Sequence, residues 1–152
     1  MRDEVVQESI VVTLTQRCNL KCTYCYEHKK DRAILSVRVA LDAIDKAFRK
    51  GKGDLSIALF GGEPFLAFQE MKEIVEGVML KEQARPYSFS VITNGTLLNE
   101  KMKSWLASKR DRIRVDLSLD GPPEIHNMNR PGSFEKIDLD FFRKIGLIIL
   151  LK

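Results

Sequence analysis

Apolar positions along the chain fall into short, β-branched runs that alternate with stretches of helical periodicity, and this alternation predicts most of the architecture. Residues 9–15 (SIVVTLT) read as a first strand buried on both faces. After a loop that holds the cysteines, Ser36 is placed to cap a helix whose apolar face is Val37, Ala40, Leu41, Ile44, Ala47 and Phe48, with Gly51 and Gly53 to end it. Residues 55–60 form a second strand closed by Gly61 and Gly62, and the following helix lines up Met71, Ile74, Val75 and Val78 before Pro86 breaks the pattern. Residues 87–92 form a third strand, and Thr93-Asn94-Gly95 turns the chain. Asn99 can cap a helix carrying Met102, Trp105 and Leu106, and residues 113–118 form a fourth strand. A Gly/Pro/Asn-rich loop over 121–132 leads to a last helix over 134–145 and a short apolar tail.

The second, third and fourth strands begin at Leu55, Tyr87 and Ile113, 32 and 26 residues apart. Those are lengths of βα repeats, so the strands should be parallel with helices outside, and ligands should sit at the carboxyl ends of the strands. The 152 residues suffice for a single domain with its own core, spanning 1–152. With 25 basic and 21 acidic residues the net charge is +4, mild and dispersed, which gives no case for nucleic acid; the densest cluster, Lys29, Lys30 and Arg32, is interleaved with acids. No run reaches the length needed to span a bilayer or to serve as a signal peptide, so no membrane association and a cytoplasmic location are expected.

The three cysteines, Cys18, Cys22 and Cys25, fall within eight residues, CNLKCTYC. An odd count at tight spacing argues against a disulfide scaffold and for a shared metal site in a reduced compartment. Soft thiolates suit an iron–sulfur cluster or zinc. A closed zinc site needs a fourth ligand, for which only His28 is near, and zinc stays open as an alternative. Three thiolates on a four-iron cluster would leave one iron free to coordinate a substrate.

Three further motifs sit just after strands. Gly61-Gly62-Glu63-Pro64 lets backbone approach a ligand and sets a carboxylate where an ammonium could bind; read alone it is a tight turn into a helix. Thr93-Asn94-Gly95 is, alone, a common turn. The segment from Ser118 through Asp120, Gly121 and His126 to Arg130 offers a guanidinium suited to a carboxylate, and His126 reads as a structural hydrogen-bonding residue rather than a proton-transfer group.

The cysteine spacing, with an aromatic before its last member, resembles the radical S-adenosylmethionine enzymes. The strand-end motifs resemble the anaerobic sulfatase-maturase and related SPASM-type peptide-modifying branch of that superfamily. The resemblance implies a parallel α/β fold, a partial (β/α) barrel. It also implies a 4Fe-4S cluster on Cys18, Cys22 and Cys25 and S-adenosyl-L-methionine as second cofactor. Tyr24 would lie against the adenine, Gly62 and Glu63 would hold the amino end, and Ser118 and Arg130 would contact the carboxylate or ribose, with Asn94 and Asp120 in the same pocket. It implies a peptide or protein substrate and an external one-electron donor of flavodoxin or ferredoxin type.

The chain departs from the family in two ways. Phe60 stands before the glycine pair where some sulfatase maturases carry a polar residue, which favours a broader peptide-maturase grouping. The sequence supplies about four of the family's six βα units, so strands five and six should be missing, the edge of the fourth strand exposed, and another chain could complete the barrel. A fragment, a frameshifted end and a natural half-barrel all suit this pattern. Alternatives to the enzyme are a cluster- and cofactor-binding module without turnover, an electron-transfer protein, and a zinc-stabilised α/β domain.

Overall fold

The computed structural model describes residues 7–27, 31–145 and 148–150. Its elements run β1 (Gln7–Thr15), α1 (Val37–Lys50), β2 (Asp54–Gly61), α2 (Phe68–Met79), β3 (Tyr87–Thr93), α3 (Glu100–Ser108), β4 (Ile113–Ser118), α4 (Pro123–Asn129), α5 (Leu139–Lys144) and β5 (Ile148–Leu150). The strands form a five-stranded sheet in the order β1-β2-β3-β4-β5, every neighbouring pair parallel. Strand order that follows chain order, with a helical crossover between neighbours, is the βα winding expected from the spacing.

One face of the sheet is apolar core. Val12 and Leu14 of β1, Leu55, Ile57 and Leu59 of β2, Phe89 and Val91 of β3, and Ile113, Val115 and Leu117 of β4 are buried with Ala40, Ile44 and Phe48 of α1, Met71, Ile74, Val75 and Val78 of α2, and Trp105 and Leu106 of α3. The helix faces read from periodicity are therefore the ones that pack. Of the alternate strand positions, Val11, Thr13, Ser56, Ala58, Ser88, Ser90 and Arg114 are exposed or half-buried and mostly small or polar, whereas Asp116 and Ser118 of β4 are buried. This corrects the expectation for β1: its apolar run is not buried on both faces, since Val11 is 61% exposed.

Asn99 caps α3 as expected, its side chain accepting from Met102 N at 3.0 Å. Ser36 occupies the cap position of α1, but its side chain makes no capping bond. Three expectations beyond β4 are corrected. The loop over 121–132 contains the helix α4, begun by Pro123, whose fixed φ suits a first helical turn. The last helix is not continuous: a 3₁₀ turn, Phe134–Lys136, is separated from α5 by Asp138, which accepts from Phe141 N at 3.0 Å and starts a new helix. The apolar tail supplies a fifth strand, with Asp116, Leu117 and Ser118 of β4 opposite Ile148, Ile149 and Leu150. Strand five is thus present, and the edge of β4 is covered.

Candidate functional site

Four strand ends meet around one cleft. Thr15, Gly61, Thr93 and Ser118 end β1 to β4, and the chain beyond them lines an opening of about 330 Å³. Cys18, Cys22, Cys25, Tyr24, Gly62, Glu63, Asn94, Ser118 and Arg130 all face this cleft. Asp120 and His126 do not line it; both are buried beside it.

The cysteine loop departs from β1 at an irregularity, where Thr13 pairs with Phe60 but Thr15 with Gly61. The loop closes when the chain returns: Leu35 N donates to Leu14 O at 2.8 Å and Thr15 Oγ1 donates to Ala33 O at 3.0 Å. Between these points the loop leans on the end of β2. Gly62 N donates to Thr15 O at 2.9 Å and Glu63 N to Arg17 O at 2.8 Å. A Cβ on Gly62 would stand closer than 3.0 Å to the carbonyls of Gln16 and Arg17, and one on Gly61 would strike the Thr15 carbonyl. The glycine pair thus accommodates the backbone of the cysteine loop itself, a tighter requirement than close approach of a ligand.

Glu63 is 1% exposed and braces the site from within. Its Oε1 accepts from Thr93 Oγ1 at 2.8 Å and from Phe65 N at 3.2 Å, and its Oε2 accepts from Asn94 N at 2.8 Å. Burial pushes its carboxyl above the ordinary range, and those three donors oppose the shift. Asn94, beside it, holds the cysteine loop. Its Nδ2 donates to Asn19 Oδ1 at 3.0 Å and approaches Cys18 Sγ at 3.9 Å, while its Oδ1 accepts from Thr96 N at 3.0 Å and Thr96 Oγ1 at 2.7 Å. Gly95, at φ +76°, supplies the left-handed step that the turn needs.

The third wall comes from β4 and α4. Asp120 accepts both Arg130 Nε, at 3.1 and 3.2 Å, and the Tyr24 hydroxyl, at 3.0 and 2.8 Å. The Arg130 guanidinium lies 5.4 Å from the centre of the Tyr24 ring. Desolvation and the bond to Asp120 push the Tyr24 hydroxyl up to about 12. Desolvation pulls the Arg130 guanidinium down, but Tyr24, Asp120 and Cys22 together outweigh it and hold the charge. Only Nε of Arg130 is engaged among the described residues, so its terminal nitrogens are left for a ligand. His126 is fully buried behind this wall: Asp120 N donates to its Nδ1 at 3.3 Å, its Nε2 stands 2.9 Å from Ser133 Oγ, and Ser133 Oγ donates to Arg130 O at 2.7 Å. An acceptor at Nδ1 fixes the neutral tautomer with its proton on Nε2, the structural role expected of this residue.

The three thiols are part-exposed and open on the one cleft. Burial pushes the Cys22 thiol up, Arg130 opposes this, and Cys18 and Cys25 add to it, so iron arriving there would displace a proton. Among the described residues no group of three or more His, Cys, Asp or Glu closes on a single metal ion. Three soft sulfur donors around one opening are ligands of the kind that an iron–sulfur cluster or zinc takes. His28, the fourth ligand of the zinc alternative, lies outside the described residues.

Sequence reasoning missed Asn19, Thr96 and Ser133, and it named Thr93 only as part of a turn; these residues carry the hydrogen bonds between the motifs. Asn94 followed two residues later by Thr96 is an Asx-turn pattern and could have flagged that pair. Ser133, 13 residues beyond Asp120, carries no local signal of its bond to His126.

Comparison with known proteins places these features together. Residues 12–145 match the Radical SAM superfamily. A cysteine-type anaerobic sulfatase-maturating enzyme of Clostridium perfringens is 35% identical over 137 residues, covering 84% of this chain and 36% of the relative. The antilisterial bacteriocin subtilosin biosynthesis protein AlbA of Bacillus subtilis is 33% identical over 126 residues, covering 80% of this chain and 27% of the relative. Among solved structures, anSMEcpe with bound AdoMet superposes with a TM-score of 0.81 at 29% identity, over 95% of this chain and 41% of that one. Streptococcus suis SuiB bound to its precursor peptide SuiA, at 23% identity and a TM-score of 0.70, shares the fold. The chain spans about a third of the length of the sulfatase-maturating relatives it matches.

Proposed function

The chain belongs to the radical SAM superfamily, and we propose that it holds a 4Fe-4S cluster on Cys18, Cys22 and Cys25, binds S-adenosyl-L-methionine beside it, and serves modification of a peptide or protein. When bound, the reduced cluster supplies the electron that splits S-adenosylmethionine into methionine and a 5′-deoxyadenosyl radical. The observation that carries this reading is convergence: three thiols and the side chains of three further strand ends open on one cleft. The family implies both cofactors, and solved neighbours carry AdoMet and, in one case, a Cp18Cys peptide.

The chain's own residues divide the work. Arg130, held by Asp120 through Nε, offers its free terminal nitrogens to the cofactor's carboxylate as a paired donor. Ser118 lines the cleft with a hydroxyl that makes no hydrogen bond among the described residues and is free for the carboxylate or ribose. Glu63 keeps acceptor capacity on Oε2, which takes one donor, and with the backbone of Gly62 it receives the amino end. Tyr24, anchored by its hydroxyl and 45% exposed, presents its ring to the adenine. Asp120 acts through Arg130 and Tyr24. An external one-electron donor of flavodoxin or ferredoxin type supplies the electron. Three unpaired thiols suit the reduced cytoplasm; among the described residues no helix is long and apolar enough to cross a membrane.

The test is anaerobic reconstitution with iron and sulfide, then S-adenosylmethionine and a strong reductant, with 5′-deoxyadenosine as the readout. Product that disappears in Cys22→Ala supports the reading. A cluster signal without product reduces the protein to a binding module, and zinc in place of iron after anaerobic purification overturns the cluster.

A further inference from the structure

We propose that Asn94 is a positioning residue for Cys18 and sets how easily the cysteine site accepts an electron, a role that rests on the cluster reading above. Asn94 is 5% exposed at the end of β3, and its orientation is fixed from four directions. Its backbone N–H is spent on Glu63 Oε2 at 2.8 Å. Its Oδ1 is saturated by Thr96 N and Thr96 Oγ1. That leaves the amide nitrogen facing the cysteine loop, where Nδ2 donates to Asn19 Oδ1 at 3.0 Å and stands 3.9 Å from Cys18 Sγ. Asn19 in turn donates to Thr96 Oγ1 at 2.8 Å, closing a ring of three polar side chains around the amide. The two Nδ2 protons thus have two fixed destinations: Asn19 and the sulfur.

Cys18 differs from its companions. It also receives Leu20 N at 3.4 Å, whereas among the described residues Cys25 Sγ points to Glu27 O at 3.7 Å and no N–H donor reaches Cys22. Donors aimed at a cluster-bound sulfur stabilise the more negative redox state, because an electron arriving from the external donor adds one negative charge that the thiolates share. In a part-buried site this interaction is less screened than in water. Asn94 therefore raises the midpoint potential of the site and brings it toward the range of a biological donor. Its reach across from β3 also means that the electronic environment of Cys18 is set by the sheet.

The experiment is a potentiometric titration, followed by EPR, of the anaerobically reconstituted full chain without S-adenosylmethionine. In Asn94→Ala, which removes the donor without adding charge, the midpoint potential should move negative. A tenfold fall in the reduced-to-oxidised ratio at fixed potential would appear as about 59 mV for a one-electron couple. Asn94→Asp keeps the shape and the acceptor for Thr96 and should shift in the same direction. Asn19→Ala loosens the loop but leaves the Asn94 amide, so its iron content should fall while its potential stays at the wild-type value. An unshifted Asn94→Ala, or an Asn19→Ala shifted as far, overturns the proposal. Should neither Asn94 variant retain a cluster, pulsed EPR of reduced wild type labelled with ¹⁵N in its asparagine side chains decides: a nitrogen coupling supports the contact and its absence removes it. If the wild type assembles no cluster, it is the cluster reading that fails.

Discussion

Replacing Gly62 by alanine tests whether the glycine pair exists for the cysteine loop. The new methyl would stand within 3.0 Å of the Gln16 and Arg17 carbonyls, and these are backbone atoms that no rotamer change can move aside. The loop must retreat by roughly 1 Å to restore ordinary van der Waals contact. That retreat strains two hydrogen bonds, Gly62 N to Thr15 O at 2.9 Å and Glu63 N to Arg17 O at 2.8 Å. Overpacking of this kind costs about 1–3 kcal/mol, and each weakened bond about 1 kcal/mol more. The sum, about 3–5 kcal/mol, corresponds to a fall in Tm of roughly 6–20 °C for a chain of this size. Because the loop carries all three thiols, iron uptake should fall with it. Gly132→Ala is the control: its φ is +62°, but nothing lies within 4 Å of the added Cβ, so only the local backbone cost of about 1 kcal/mol applies. Thermal melts by circular dichroism and iron content after anaerobic reconstitution read both effects. A Gly62→Ala protein with wild-type Tm and wild-type iron would refute the steric reasoning.

Glu63→Gln replaces one acceptor oxygen by a donor among the N–H of Phe65, the N–H of Asn94 and the hydroxyl of Thr93; urea unfolding should show a loss of about 1–3 kcal/mol. Arg130→Lys keeps the charge but cannot hold Asp120 through Nε while presenting a paired donor to a carboxylate, so binding of S-adenosylmethionine by the reconstituted protein, measured by calorimetry, should weaken about 10- to 100-fold. Desolvation holds the His126 imidazole below its ordinary 6.5. The unfolded chain therefore takes up a proton there before the folded one does, and stability should fall as pH drops below about 6.5 toward the lowered folded value. Melts in His126→Gln should lose that dependence, at an overall cost of about 1–3 kcal/mol for the disturbed bonds to the Asp120 N–H and the Ser133 oxygen.

The sheet was legible because period and spacing act locally: alternate apolar positions in β2 and β3 and the i, i+3, i+4 faces of α1 and α2 each declare their burial without reference to the rest of the chain. The first strand misled because Val11 and Val12 are equally apolar, and only the open opposite face of the sheet distinguishes them. The fifth strand was hidden because Ile148–Leu150, though apolar and mostly β-branched, is only three residues long, too short to show a strand period, and only its pairing with β4 identifies it. At the site, sequence located the residues but not their partners. Glu63 reads as a ligand-facing carboxylate, yet three of its hydrogen bonds are internal. Asp120 reads as a pocket residue, yet its side chain is 0% exposed behind Arg130. The links from Glu63 to Thr93 and Asn94 and from Tyr24 to Asp120 join positions 30 to 96 residues apart, and no local pattern encodes them.

Those long links explain how a loop with no regular structure of its own can present three thiols in register. The end of β2 holds Arg17 O through Glu63 N, the end of β3 holds Asn19 through Asn94, and the segment after β4 holds Thr23 N through Asn129 O at 2.9 Å and the Tyr24 hydroxyl through Asp120. Successive strand ends thus grip successive residues of the loop, in the same order along the sheet as along the chain. A parallel sheet in sequential order is what makes that possible, because it delivers every strand's carboxyl end to the same side. The position of each cysteine is therefore set by strand register, and a slip of one residue between β2 and β3 would move Glu63 away from Thr93 and Asn94 together. The motifs form one clamp closed on the cysteine loop, and the cleft is the space that the clamp leaves free.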